Sequence, residues 1–152
     1  MQSADTLVAI PYQSLGQVPF GATAEIVRRV WGAPDSISKT GAGKVAEFYG
    51  AVNIGYSSDP DPQVNHFGAN KDAVNIRIAN IHIFGNDRTQ VLTELLMLDD
   101  AYTYMGFLVF LNLGVALTGF HDQDESQRAF SMFAKGAWDH RKSKMKYFSL
   151  LS

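Results

Sequence analysis

The chain has 152 residues, of which 46% are hydrophobic and 12% aromatic; with only 18% charged residues, this composition excludes an intrinsically disordered protein. The net charge of −2 lacks the basic excess that is typical of nucleic-acid or membrane-surface binding. The absence of cysteine excludes disulfides, thiolate metal sites and a cysteine nucleophile in this chain.

The N-terminal stretch and the longest apolar run bear on localisation. Residues 1–19 lack the basic start of a secretory signal, and residues 7–10 are too short to be its apolar core. The apolar stretch from Met105 to Leu117 is interrupted by Asn112 and Gly114, so it does not have the form of a membrane span. We therefore expect a cytoplasmic protein without a membrane partner.

A short helix with its own start and stop is predicted after residue 20. Thr23 can cap the first turn, Gly32 can end the last turn, and Pro34 prevents the helix from continuing. The predicted helix is about nine residues long. Its apolar residues recur at helical spacing and predict one buried face, formed by Ile26, Val27, Val30 and Trp31.

Strand-like runs follow this helix, and the pattern returns later in the chain. Residues 45–49 and 51–57 are separated by Gly50 and predict a pair of strands. A second helix is predicted to begin after Asp87 as its cap, with an apolar face of Val91, Leu92, Leu95 and Leu96. Residues 99–104 are predicted as a connection, and further strands are predicted at residues 73–79, 106–111, 114–120 and 128–134.

The two helix-and-strand segments align with each other at an offset of 64 residues. Seven identities occur between residues 20–59 and the residues 64 positions later: Phe20 with Phe84, Gly21 with Gly85, Val27 with Val91, Asp35 with Asp99, Val45 with Val109, Gly50 with Gly114, and Gly55 with Gly119. This alignment predicts an α+β fold of two tandem helix-plus-antiparallel-sheet halves, αβββ repeated, that share a core. The halves would span about residues 15–80 and 81–152 of one compact domain.

The first helix carries a family signature. Gly21, Thr23, Val27, Gly32 and Pro34 have the spacing G-x-T-x-x-x-V-x-x-x-x-G-x-P. This spacing resembles the motif that opens BamE/SmpA-like outer-membrane assembly lipoproteins and β-lactamase inhibitory protein (BLIP)-like domains. The resemblance covers about forty residues, and Leu96 and Leu98 replace the closing Gly and Pro in the second half. A tandem arrangement is more similar to the inhibitory proteins, which implies a bacterial inhibitor or immunity protein.

One acidic segment could in principle support metal chemistry. Residues 121–125 place His121, Asp122, Asp124 and Glu125 within five positions, which is compatible with a divalent cation. The segment lacks the Gly and distal Glu of a calcium loop, so a solvated turn is the better interpretation and we predict neither metal nor cofactor. A small metal- or ligand-binding enzyme that uses this loop remains the alternative function.

Catalytic signatures are absent from the sequence. There is no G-x-S-x-G elbow, no P-loop, no dinucleotide fingerprint and no His pair at i, i+4. We therefore predict a non-enzymatic protein that binds another protein, such as a toxin or enzyme encoded nearby, and that could also form a homodimer. The residues predicted to contact the partner are aromatic groups and the acidic loop, which would suit a basic partner: Tyr56, Phe120, His121, Asp122, Asp124, Glu125 and Trp138.

Overall fold

Strands carry most of the regular structure in the computed structural model, which describes residues 6–73, 75–122 and 125–150. Among these residues there are two α-helices, α1 (Ala24–Trp31) and α2 (Arg88–Leu98), and two short 3-10 helices, Glu125–Gln127 and Asp139–Lys144. The strands, in chain order, are β1 (Leu7–Ile10), β2 (Ser14–Leu15), β3 (Val18–Pro19), β4 (Ser36–Lys39), β5 (Val45–Tyr49), β6 (Val52–Tyr56), β7 (Val64–Asn70), β8 (Ile76–Ile78), β9 (Ile81–His82), β10 (Ala101–Tyr104), β11 (Phe107–Phe110), β12 (Val115–Thr118), β13 (Ala129–Phe133) and β14 (Lys146–Phe148).

The strands form two sheets of unequal size. The large sheet is antiparallel and has nine strands in the order β14-β10-β11-β12-β13-β7-β6-β5-β4. The small sheet has five strands in the order β3-β2-β1-β8-β9, and it contains one parallel pair, in which Leu7 of β1 lies opposite Ile76 of β8. The parallel pair joins the start of the chain to residues about 70 positions later, so the small sheet depends on a long-range contact.

The predicted α+β fold of two αβββ halves is wrong, because the protein is mostly β. In the large sheet, α1 is followed by four antiparallel strands and α2 by five, and β7 pairs with β13, so the strands form one continuous sheet rather than two small ones. Residues 101–104, predicted as a connection, form β10, and the N-terminal segment contributes three strands to the small sheet. These short strands are stabilised by distant partners, which local sequence patterns do not reveal.

Both ends of α1 and the start of α2 agree with the sequence prediction. The Thr23 hydroxyl accepts a hydrogen bond from the Ile26 N–H at 3.4 Å, and α1 ends at Gly32, whose φ is +82°. In α2, the Asp87 carboxylate accepts from two first-turn N–H groups at 3.1 and 3.3 Å. The buried face of α1 is narrower than predicted: Val27 and Trp31 are buried, whereas Ile26 and Val30 are 40% and 37% exposed.

One continuous core lies against the inner face of the large sheet, the face that carries Phe67 and Phe130. The two α-helices and the small sheet bury their apolar side chains in the same cluster, including Val27, Leu95 and Ile76. Full burial of such a side chain contributes about 1.5–3 kcal/mol, so this core is the main source of stability. A second, smaller apolar cluster, which includes Val109 and Phe133, lies on the opposite, outer face.

Two aspartates hold equivalent turns of the large sheet. Asp35, after α1, accepts a hydrogen bond from the Gly50 N–H at 2.7 Å in the β5–β6 turn. Asp99, after α2, accepts from the N–H groups of Asn112 and Leu113 at 2.8 and 3.1 Å in the β11–β12 turn. The two aspartates are 64 residues apart, which is the offset that aligns the two segments in the sequence.

Candidate functional site

The outer face of the large sheet has short side chains at its centre. Strand alternation directs residues on β6, β7, β13 and β12 to this face, and most of them are small: Asn53, Gly55, His66, Gly68, Ser131, Ala116 and Thr118. Gly68 lies opposite both Asn53 and Ser131, at the seam between the four strands that follow α1 and the five that follow α2. Short side chains over four adjacent strands leave the sheet surface open at its middle.

Two adjoining depressions occupy this open surface. The first, which we call the apolar depression, has a volume of about 310 Å³ and aromatic residues Phe48 and Phe107 among its lining. The second, which we call the basic depression, has a volume of about 480 Å³ and is lined by Lys44, Trp138 and Arg141, among others. Both depressions are lined by Asn53 and His66, so the two form one recess across the sheet.

The floor of the recess is set by close packing between neighbouring strands. A Cβ on Gly68 would lie 2.5 Å from the Asn53 Oδ1, so the Asn53 amide occupies the space that a side chain at residue 68 would need. A Cβ on Gly55 would lie 3.2 Å from the His66 Cβ. Burial lowers the pKa of His66 below its ordinary value of 6.5, so this imidazole is neutral at pH 7.

One end of the outer face is covered by an aromatic cluster. The Trp138 ring packs edge-on against Tyr104 and Phe107 and at a tilt against Phe133, with centroid distances of 5.7–5.8 Å. The Arg141 guanidinium lies over the Trp138 ring at 5.1 Å from its centroid, within cation–π range. This cluster fixes the position of Trp138 and Arg141 at the edge of the basic depression.

A second polar cluster, around Glu47 of β5, is enclosed by the core. Glu47 is 1% exposed, and its carboxylate accepts hydrogen bonds from Arg28 at 2.6 Å, Tyr56 at 2.9 Å and Tyr49 at 3.4 Å. Burial, followed by the nearby Glu47 carboxylate, raises the pKa of Tyr49 to about 12. The hydrogen bonds from Arg28, on α1, and from Tyr56 and Tyr49, on the sheet, tie α1 to the large sheet.

Two of the predicted contact residues have buried side chains. Tyr56 is 3% exposed and directs its hydroxyl to Glu47, beneath the basic depression. Phe120 is 1% exposed and lies under the Arg128 guanidinium, 4.5 Å from the ring centroid. Neither aromatic ring is available as a surface contact, although aromatic residues near an acidic loop suggested that role.

His121 and Asp122, at the start of the acidic loop, line neither depression. His121 is half-buried with its ring edge-on to Phe148 at 5.8 Å, and the backbone carbonyl of the exposed Asp122 accepts a hydrogen bond from Arg88. Asp124 lies outside the described residues, and Glu125 begins a 3-10 helix. Of the seven predicted contact residues, Tyr56 and Trp138 line the basic depression in the described part of the chain, and Trp138 is the less buried of the two.

Several recess residues were missed by the sequence analysis. His66, Gly68 and Asn70 alternate with the inner-face residues Phe67 and Ala69 along β7, but no strand was predicted for this stretch. The alternation of apolar residues with polar residues or glycine from 66 to 70 was the available signal. Lys44 and Arg141 had no such signal, because 97 positions separate them in the chain and only the folded sheet brings them to one depression.

The described part of the chain contains neither a cluster of metal ligands nor a helix that could span a membrane. No group of three or more His, Asp or Glu side chains there has an arrangement that could hold a metal ion. No helix among the described residues has both the length and the apolar character needed to cross a bilayer.

Comparison of the chain with protein-family models, with curated proteins and with solved structures gave no match. The case for a function therefore depends on the geometry of the outer face.

Proposed function

We propose that this protein binds another protein through the outer face of its large sheet and acts without catalysis. In its most concrete form, the protein is a bacterial inhibitor or immunity protein of the cytoplasm that covers the working surface of a toxin or enzyme. The observation that supports this proposal most directly is the recess formed by the two adjoining depressions, with aromatic residues at its walls and short polar side chains on its floor.

The composition of the recess suits a protein partner. Protein interfaces are enriched in aromatic residues and arginine, and their dominant contacts are anchors that fill pockets. Phe48, Phe107, Trp138 and Arg141 supply such groups around the recess. The floor is a paired sheet with extensive hydrogen bonding between strands, so a partner can be bound on a rigid surface at low ordering cost.

A variant that fills the recess tests this proposal. Ser131 lies at the centre of the outer face, and Ser131→Arg would place a long charged side chain over the apolar depression. Met97→Arg is the matched control, because Met97 is 81% exposed on α2 and lines neither depression. Immobilised wild-type protein and both variants are used to capture partners from cells of the source organism, and captured enzymes or toxins are assayed with added protein.

The expected result is a partner that binds the wild type and Met97→Arg and is lost with Ser131→Arg, and whose activity falls in proportion to added protein. A second copy of the chain is identified as the partner if the wild type is a dimer in solution and Ser131→Arg is a monomer. The proposal would be overturned if all three forms captured the same proteins and the wild type were a monomer.

A further inference from the structure

Two cationic side chains, those of Lys44 and Arg141, line the basic depression. Lys44, His140 and Arg141 line it from two separate segments, and neither Asp nor Glu is among the described residues that line either depression. Within the described residues, neither Lys44 nor Arg141 forms an ion pair, whereas the adjacent Lys142 is paired with Asp139 at 2.8 Å. A protein with a net charge of −2 thus carries a local positive site on its outer face.

The backbone fixes the positions of these cations. Lys44 ends a tight hairpin turn in which the Thr40 N–H donates to the Lys44 carbonyl at 2.9 Å and the Lys44 N–H donates to the Thr40 hydroxyl at 3.1 Å. Arg141 is half-buried in a 3-10 helix and stacks on Trp138. Hydroxyl and amide groups of Ser38, Thr40 and Asn65 line the same depression and can donate further hydrogen bonds.

From this geometry we propose that the basic depression binds aspartate or glutamate side chains in a segment of the partner protein, while the apolar depression takes a neighbouring apolar side chain. The inference builds on the proposed protein-binding function. Arginine and lysine recognise carboxylates through charge-assisted hydrogen bonds, and a charged site of opposite sign accelerates encounter with an acidic surface. The partner surface is therefore acidic, whereas the acidic loop at residues 121–125 alone had indicated a basic one.

Protein carboxylates fit the site better than nucleic acid does. Nucleic-acid binding uses a stripe of basic residues that follows several phosphates, because affinity comes from neutralising many charges. Here the two cations that line the recess, Lys44 and Arg141, belong to one depression of about 480 Å³, and Trp138 and its aromatic neighbours close one side. A single segment with one or two carboxylates matches this extent.

A random-peptide display selection on the immobilised full chain tests the inference. Selected peptides are measured against wild type, the double variant Lys44→Glu/Arg141→Glu and a double variant with the same charge change, Lys71→Glu/Lys146→Glu, at positions that line neither depression. Ser131→Arg and a single-stranded DNA oligonucleotide are tested in parallel. Thermal unfolding of each variant establishes that it is folded, and Arg141→Gln provides a milder change.

Peptides rich in Asp and Glu are expected, with binding at least about tenfold weaker to Lys44→Glu/Arg141→Glu, unchanged for Lys71→Glu/Lys146→Glu, and weaker at high salt. Peptides that are neutral or basic yet lose binding in Ser131→Arg would overturn this inference and leave the proposed function standing. If binding of none of the selected peptides depends on Ser131, both this inference and the proposed function would be overturned. Oligonucleotide binding that depends on Lys44 and Arg141 would replace the carboxylate by a phosphate ligand and overturn the inference.

Discussion

Glu47 illustrates how one charged residue is accommodated inside a mostly β core. An isolated buried carboxylate is strongly unfavourable, and it is tolerated when its oxygens accept enough hydrogen bonds. Arg28 supplies the compensating charge from α1, and the hydroxyls of Tyr56 and Tyr49 supply two further donors from the sheet. The helix is thereby joined to the sheet by a polar contact in addition to apolar packing.

Removing one of these donors should destabilise the fold measurably. Tyr56→Phe leaves the buried Glu47 carboxylate with one fewer hydrogen bond, and we expect the free energy of unfolding to fall by about 1–3 kcal/mol. Urea unfolding measures this change. Tyr147→Phe is the control, because Tyr147 is 65% exposed and its substitution should have almost no effect. Equal stabilities of the two variants would show that the Tyr56 hydroxyl contributes little.

The same tyrosines predict how stability depends on alkaline pH. Burial, then the contact with Glu47, raises the pKa of Tyr49 from 10.0 to about 12 and that of Tyr56 still further. Below pH 10 both tyrosines are protonated in the folded and unfolded states, so their contribution is complete. Above pH 10 the unfolded chain releases protons that the folded protein retains, so the free energy of unfolding should fall by up to about 1.4 kcal/mol per pH unit for each tyrosine.

Urea unfolding between pH 9 and about pH 12 measures this slope. Tyr56→Phe removes one of the two shifted groups and should give a shallower slope than the wild type. A free energy of unfolding that is constant from pH 10 to pH 12 would contradict the prediction.

At the scale of elements, each α-helix is joined to the large sheet through the aspartate that follows it. Asp99 is 8% exposed and accepts three hydrogen bonds, two from backbone N–H groups and one from the Asn112 amide at 2.8 Å. Asp35 is exposed and accepts one, from the Gly50 N–H. Asp99 therefore stabilises its turn through more hydrogen bonds than Asp35 does.

This difference predicts unequal costs for one substitution at two sites. Asp99→Ala leaves two part-buried N–H groups in the β11–β12 turn and the Asn112 amide without an acceptor, and we expect a loss of about 2–3 kcal/mol in the free energy of unfolding. Asp35→Ala, the matched comparison, should cost about 1 kcal/mol or less because water can replace its one exposed bond. Urea unfolding of both variants checks the order, and an equal or reversed order would contradict it.

The sequence predicted elements whose signals are local. Helix caps at Thr23 and Asp87 and the turn at Gly50 follow from short-range rules, and they are confirmed. Strands β2, β3, β4 and β10 were missed or misassigned, because two- to four-residue strands are stabilised by their pairing partners, whereas β8 falls within the strand predicted at residues 73–79. The recess was missed for the same reason: its floor forms where β7 meets β13, a pairing that no local pattern encodes.

At the scale of the whole molecule, β7 and β13 join the two segments into one structure. These strands pair over five positions, from Asn70 opposite Ala129 to His66 opposite Phe133. The inner-face side chains at this seam, Phe67 and Phe130, belong to the same core cluster as residues of both α-helices. Neither segment can separate from the other without exposing the centre of the core, so the two should unfold together.

The two tryptophans of the chain allow this cooperativity to be measured. Trp31, the last residue of α1, is buried in the first segment, and Trp138 covers the outer face beside the second segment. Trp138→Phe leaves Trp31 as the fluorescent reporter, and Trp31→Phe leaves Trp138.

Since both changes also alter stability, each variant is unfolded in urea and followed by tryptophan fluorescence and by circular dichroism of the whole chain. We expect the two signals to coincide within each variant, because loss of the seam exposes the core of both segments at once. A fluorescence transition that precedes or follows the circular dichroism transition in either variant would mean that the segments unfold separately.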